Sequence, residues 1–291
     1  KSIYSYGFNW DVNQKIGIEG KITNSFGETP STGLLTIPSD NKPLYSVNLI
    51  YNPYGRDNKL NSLIEKDSLI SFGGVTVNNA LIQNSDKSQG ILNYDTSGNA
   101  FFSYKYSLSD IFELELINIG QFNDINNSTN KNLALRSTYL NDNNLNFRLG
   151  GKLMIFSPQK NDGLWSSLRT SFGRNDNTNQ GYIYTELLNT IRLNSWIAAN
   201  ISPKYFFSGV DSFGALGVSK YISLGDKVLI IPEMNFQLSK QSEINNTITF
   251  RYSYNPSRSI DLYYSNAIGI QDLGQNLRGK DKFGLKLNFN Y

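Results

Sequence analysis

From Asn99 to its last residue the chain alternates apolar and polar side chains, with short polar interruptions, and this period of two limits the fold more than any other feature. Ile248, Phe250, Tyr252 and Tyr254 stand against Thr247, Thr249, Arg251 and Ser253. Leu145, Phe147, Leu149, Leu153 and Ile155 stand against Asn146, Arg148, Gly150 and Lys152. Successive side chains of a strand point to opposite faces, so the pattern builds sheet with one oily face and one charged face. It predicts strands over 99–108, 111–121, 131–140, 143–156, 163–173, 180–192, 195–207, 211–221, 226–238, 245–254, 259–270 and 281–291. The breaks carry turn chemistry: SD at 109–110, NDNN at 141–144, RNDNTNQ at 174–180, GD at 225–226 and NPSRS at 255–259. No helical stretch separates these strands, and a parallel crossover consumes a dozen or more residues, so the sheet is antiparallel. Pro203 and Pro232 fall within two of the strands, where each removes a ladder donor and usually marks a bulge or strand end.

The first hundred residues are less regular. Tyr4, Tyr6, Phe8 and Trp10, then Ile16, Ile18, Gly20 and Ile22, read as a hairpin whose other face carries Lys15, Glu19 and Lys21. Tyr45 to Tyr51 makes a further strand and 68–75 a partner for it, which brings the count to sixteen, with fourteen or twelve open. Leu60, Leu63 and Ile64 lie on one side of a short helix within 53–67, either a loop helix outside the sheet or a plug inside it. No linker or repeat divides the chain, so residues 1–291 read as a single barrel domain.

A β-sandwich also alternates, and composition has to arbitrate. The expected strands run to about 9–12 residues, the length a tilted strand needs to cross a hydrocarbon layer, whereas sandwich strands average about five or six. The apolar positions are rich in Tyr and Phe, as at Tyr4, Tyr139, Tyr205, Tyr254 and Tyr291, and a phenol suits a bilayer interface because its body is oily and its hydroxyl reaches water. The longest apolar run is of the order of VLII at 228–231, far short of the roughly 20 residues of a spanning helix. The sequence therefore predicts an all-β fold, a closed antiparallel transmembrane β-barrel, because a sheet in lipid has to pair every backbone polar group. The opening KSIYSYGFNW lacks the basic and then apolar pattern of a secretory leader, which leaves open a mature chain, a trimmed one or one never exported.

The end of the chain, KFGLKLNFNY, is more specific. Lys282, Gly284, Leu287 and Phe289 fill the polar, glycine and hydrophobic places of a ten-residue pattern, and Tyr291 is the terminal aromatic. This stretch resembles the C-terminal insertion signal of bacterial outer-membrane β-barrel proteins of the porin-like class. The family more often ends on Phe. The resemblance implies residence in the outer membrane of a Gram-negative-type bacterium, among lipopolysaccharide and other bilayer lipids. It also implies a barrel-insertion machinery that reads the last strand, and closure of that strand on the first, around Ile3 to Trp10.

If the oily face meets lipid, parity sends the charged face into the lumen. Lys15, Lys21, Lys105, Arg136, Arg148, Lys152, Arg169, Arg192, Lys204, Arg251, Lys282 and Lys286 are placed inside, against Glu19, Glu113, Glu115, Glu186, Glu233 and Asp261. Twelve cations against six anions predict a mild preference for anions in a water-filled pore; the alternative is that the charges pair across strands with no role in transport. Histidine and cysteine are absent, which removes the usual imidazole base, thiolate nucleophile and zinc ligands. Glu113 and Glu115 share a face, yet strand alternation alone accounts for FELELI. The pairs FGG and LGG are too short for a phosphate loop and read as bulges or packing points, and NDIN and RNDN read as turns. No enzyme activity, cofactor or metal is expected, and a net charge of +3 without a basic run does not indicate nucleic acid. The first functional expectation is a passive channel for small hydrophilic solutes or ions. The alternatives are a non-conducting structural, adhesive or assembly barrel, and a secreted all-β binding module. A homo-oligomer stays open, since nothing marks a subunit interface.

Overall fold

A computed structural model of the protein describes residues 4–11, 16–24, 43–51, 69–121, 146–158, 163–175, 180–209, 212–238 and 244–291. The chain forms two compact units, residues 1–62 and 63–291. In the first, β1 (Ser5–Asp11), β2 (Ile16–Thr23) and β3 (Leu44–Tyr51) make an antiparallel sheet in that order. Its register lines up Phe8 with Gly20 and Gly20 with Val47, and Tyr6 with Ile22 and Ile22 with Tyr45, so the oily residues of the three strands share one face.

The second unit is a closed barrel. Its strands are β4 (Ser88–Asp95), β5 (Ala100–Ser109), β6 (Phe112–Gln121), β7 (Asn146–Phe156), β8 (Gly163–Asn175), β9 (Gln180–Arg192), β10 (Ile197–Ser208), β11 (Ser212–Ser223), β12 (Val228–Leu238), β13 (Ile244–Asn255), β14 (Arg258–Ala267) and β15 (Arg278–Asn290). Each pairs antiparallel with its neighbour in the chain, and β15 pairs with β4 to close the ring. Twelve strands is the smallest of the counts that the sequence allowed.

Two expectations change. The last strand closes on β4, with Leu287 opposite Leu92 and Phe289 opposite Gly90, and not on the stretch from Ile3 to Trp10. Ser5 to Trp10 of that stretch lie in the separate sheet, where their apolar row finds partners on β2. Residues 69–75 form no strand; they run inside the barrel, their apolar side chains meeting inward-facing residues of the wall. The expected strand 131–140 and the helix or plug at 53–67 lie outside the described residues, and β6 pairs directly with β7. β4 is not marked in the sequence because Ile91 and Leu92 are adjacent apolar residues on opposite faces, one buried and one exposed, which blurs the alternation. Pro203 and Pro232 sit inside β10 and β12 without shifting the register, at places where the ladder to β9 and to β11 omits two pairs.

Alternation is visible in the burial of every strand from β10 to β14. Outward lie Ile155, Phe172, Tyr205, Phe207, Ile248, Phe250, Leu262 and Phe283, all exposed, and they make an apolar belt. Tyr254, Trp196 and Tyr291 are exposed at strand ends or turns, where an amphipathic ring meets both oil and water. Two glycines on the inner face are sockets for aromatic rings from the next strand. A Cβ on Gly284 would stand 2.1 Å from Cζ of Tyr263, and one on Gly173 would stand 2.3 Å from Cζ of Tyr182. Each pair is directly opposed in the ladder, so the ring lies across its neighbour's bare backbone.

Gly284→Ala is therefore expected to destabilise the folded barrel by about 1–3 kcal/mol through overpacking, read as a lower urea midpoint in detergent. Adding Tyr263→Ala to it removes the clash and is expected to cost less than the sum of the single changes; additive costs would show that the socket is not the cause.

Candidate functional site: an occupied barrel lumen

Thirteen residues placed inside by parity are buried in the barrel interior: Lys105, Glu113, Glu115, Arg148, Lys152, Arg169, Glu186, Lys204, Glu233, Arg251, Asp261, Lys282 and Lys286. Glu19 and Lys21 are not among them, because β2 belongs to the first sheet, where both are partly exposed on the polar face. Arg192 is half-buried at the end of β9, its Nε donating to the Asn194 carbonyl at 3.2 Å. Lys15 and Arg136 lie outside the described residues. Two buried acids that the sequence reading missed complete the set. Asp95 ends β4, and Asp272 lies between β14 and β15, where no periodicity points to the interior. Among the described residues, eight buried cations thus face seven buried anions.

These charges are paired. Arg169 on β8 holds Glu115 with two parallel bonds of 2.8 Å, and reaches Glu186 at 3.1 Å and Asp272 at 2.9 Å. Glu115 also meets Lys105 at 3.2 Å, Glu186 meets Lys204 at 3.4 Å, and Lys152 meets Glu113 at 3.4 Å. On the opposite side Arg251 and Asp261 form a bidentate pair with both bonds at 2.7 Å, and Lys282 meets Asp95 at 3.0 Å. Such pairs cancel the field that a lumen of mostly cations would project. Deleting one partner of a buried pair typically costs about 3–5 kcal/mol, because the other charge stays buried.

Two stretches of the chain fill the space between the walls. The first is residues 69–87, which enter β4. Arg251 donates to the carbonyls of Phe72 at 3.0 Å and Gly73 at 2.6 Å, and Lys286 donates to that of Gly74 at 2.6 Å. Lys204 reaches the Thr76 carbonyl at 3.1 Å, and Lys152 the Leu81 carbonyl at 2.6 Å. Ser167 donates to the Ala80 carbonyl, and the Ala80 N–H donates to Thr190 at 2.8 Å. Leu69, Ile70, Ala80, Leu81 and Ile82 pack against Met154, Trp165, Leu188, Tyr221 and Ile231 of the wall.

The second stretch is the β14–β15 connection, with the one-turn helix α1 (Leu273–Asn276). Ile268, Leu273 and Leu277 pack against Tyr182, Tyr184, Phe206 and Phe213. Asp272 takes φ 45°, a conformation that non-glycine residues adopt at a cost, and its carboxylate is held by Arg169 and by the Tyr182 hydroxyl at 3.2 Å. Gln275 accepts from Lys204 at 2.6 Å, so one ammonium binds both stretches.

Glu233 differs from the other interior acids. Among the described residues it is the buried carboxylate with no cation within 4.0 Å. It accepts instead from the Val75 N–H at 2.7 Å, the Thr76 N–H at 2.6 Å and the Thr76 hydroxyl at 2.7 Å. Two consecutive backbone N–H groups form a cradle for an anion. The approach needs Gly74, since a Cβ there would fall 1.8 Å from Oε1 of Glu233. The FGG pair is thus a packing point, seated against a carboxylate.

No protein-family model and no curated protein matches this sequence. Solved structures do. The KdgM porin superposes with a TM-score of 0.51 over 70% of this chain and 99% of its own, at 5% identity. An outer-membrane channel from Pseudomonas putida F1 gives 0.48 over 73% and 98%, at 9% identity, and the NanC porin 0.47 over 69% and 98%, also at 9% identity. At such identities the likeness is one of fold. The chain shares the closed antiparallel β-barrel fold of the KdgM porin, with its own segments folded into the lumen.

Glu233→Gln keeps the shape of the cradle but sets a donor amide against donor groups. It is expected to weaken residues 74–77 by about 2 kcal/mol, so that amide exchange at Val75 and Thr76 speeds up roughly 30-fold while that of β8 and β9 is unchanged. Gly74→Ala is expected to give the same local loss. Unchanged exchange in both variants would remove Glu233 as the holding group.

Proposed function

We propose that this protein is an outer-membrane channel for small hydrophilic solutes or ions, held closed by its own residues 69–87. The observation that carries the reading is the kind of wall this segment meets. Its backbone is gripped by Arg251, Lys286, Lys204, Lys152 and Glu233, all charged groups that water can hydrate if the segment leaves. A core meant only to fill a barrel is built more cheaply from apolar side chains, because buried charges pay a large desolvation cost. A twelve-stranded barrel without its contents encloses an aqueous path, as barrels wider than eight strands do. Eight interior cations against seven anions support at most a weak preference for anions once the path is open.

The second reading is a barrel that never conducts and serves as a structural, adhesive or assembly component. It is favoured by the apolar cluster that buries Ile70, Ala80 and Ile82 completely. Planar-bilayer conductance separates the two. The native protein is expected to insert without steady openings, and a variant lacking residues 69–84 to give stepwise openings with a reversal potential close to zero or slightly anion-shifted in a salt gradient. A deletion variant that shows the heat-dependent gel shift of a folded barrel and stays silent would establish the non-conducting reading. Steady conductance of the native protein would show that 69–87 does not close the path.

The insertion reading of the last strand is a proposal of the same standing. Tyr291 and Ser88 exchange backbone bonds of 2.8 and 3.2 Å, and Phe289 lies opposite Gly90, so the signal residues also form the closing seam. Removing Phe289 to Tyr291 is expected to reduce outer-membrane levels strongly with synthesis intact, measured by fractionation; normal levels would overturn it.

A further inference from the structure

The two inner stretches meet the wall at a common point. Lys204 and Glu186 stand opposite each other in the ladder between β10 and β9, with Nζ of Lys204 3.4 Å from Oε1 of Glu186. The Lys204 ammonium donates to the Thr76 carbonyl of the first stretch at 3.1 Å and to Oε1 of Gln275 in the second at 2.6 Å. Glu186 accepts from the Asn78 side-chain amide at 2.9 Å. It also accepts from Arg169 at 3.1 Å, and that guanidinium donates to Asp272 at 2.9 Å and to Gln271 at 3.1 Å. Each member of one ion pair thus holds both stretches, Lys204 directly and Glu186 through a single arginine. Val75 and Ile270, one from each stretch, belong to one apolar cluster with Ile91, Phe101 and Tyr263. The course of the Lys204 side chain is set by what lies beside it. A Cβ on Gly217 of β11 would stand 2.8 Å from Cε of Lys204, and the ammonium donates to Oδ1 of Asn235 on β12 at 2.7 Å.

Lys204, Glu186 and Arg169 are buried, and a buried donor or acceptor that loses its partner costs more than an exposed one. Withdrawing 268–277 takes Gln275 from Lys204, and Asp272 and Gln271 from Arg169. Withdrawing 69–87 takes the Thr76 carbonyl from Lys204 and the Asn78 amide from Glu186. Either departure also admits water, which weakens the charge contacts that hold the stretch left behind. We infer that residues 69–87 and 268–277 seat and release as one unit, with the Glu186–Lys204 pair as their shared latch. The β14–β15 connection is then the handle of the closing segment: whatever displaces 268–277 unseats 69–87 with it. Such a coupling acts equally in both directions. As a means of regulation it rests on the closed-channel reading, whereas the coupling itself is a property of the fold.

Amide exchange of the whole protein in detergent tests the coupling. Asn276→Ala removes that side chain's bonds to the Tyr184 hydroxyl and the Asp272 carbonyl, neither of which belongs to the first stretch. It is expected to speed exchange about tenfold at Ile268, Gly269 and Gly274, whose N–H groups are bonded within the connection. The same factor is expected at Val75, Thr76 and Ala80, because amides freed by one opening share its free energy. Glu233→Gln is expected to act in the reverse direction, from Thr76 to Gly274. A change confined to one stretch in either variant would show two independent seats and overturn the inference. Added to Lys204→Met, Asn276→Ala is expected to keep its local effect and to transmit less than about threefold. Gly217→Ala, which crowds the Lys204 chain without removing its charge, is the second background should Lys204→Met not fold. Transmission of undiminished size in a folded background would take Lys204 out of the latch and overturn its assignment. In planar bilayers Asn276→Ala is expected to open more often than the native protein. Coupled exchange without openings would leave the joint unit standing and remove the closed-channel reading, so the two fail separately.

Discussion

Inside hydrocarbon a peptide group has no water to turn to, and each N–H and C=O must be satisfied by the chain itself. Most of what this structure does follows from that. On the wall the requirement is met by a ladder with no free edge, from β4 around to β15. In the interior it returns in a second form, because residues 69–87 and 268–277 carry irregular backbone into the space that the wall encloses. Their carbonyls are met by Arg251, Lys286, Lys204, Lys152 and Lys282, and their N–H groups by Glu233 and Thr190. Charged side chains on the inner face are thus less a lining for a pore than a set of donors and acceptors matched to one particular strip of peptide.

That match explains the division of labour among the interior charges. Arg169 and Arg251, with rigid forked guanidinium groups, make the bidentate carboxylate pairs: Arg251 ties β13 to its neighbour β14, and Arg169 of β8 reaches across β7 to Glu115 of β6. Of the lysines, compact and flexible, Lys152, Lys204, Lys282 and Lys286 each reach from the wall to a carbonyl of an inner segment, while Lys105 meets Glu113 and Glu115. Glu233 alone among the described interior acids is left to backbone N–H groups. Wall and contents therefore share one electrostatic network, and its near balance of eight and seven charges is a property of the assembly, not of the wall alone.

The barrel wall was legible in the sequence because alternation is local: each strand from β5 to β15 reports its two faces within ten residues. Inner parity at Arg148, Arg169, Glu186 and Arg251 follows from the same rule. What the inner residues touch was not legible. Glu233 reads like any other inward acid until Val75 and Thr76, more than 150 positions earlier, are set beside it. SLISFGGV reads as a strand in the sequence, yet residues 69–75 serve a core, and burial inside a barrel imposes no period of two. Asp272 sits in a connection, where composition says turn and nothing says interior. Glu19 and Lys21 obey the alternation of a barrel strand, yet pairing chooses a different sheet, a decision made by long-range register and not by pattern.

The two inner segments also have a particular place in the chain. Residues 69–87 lead directly into β4, and 268–277 lead directly into β15, the two strands whose pairing closes the ring. The contents are tethered to both sides of the seam. Closure of that seam joins residues roughly 200 positions apart, the slowest kind of contact to form, and it happens around material that is already attached to its two lips. The barrel is wrapped about an internal mandrel spun from its own thread, and the stitch that shuts it is also the one that fixes what is inside.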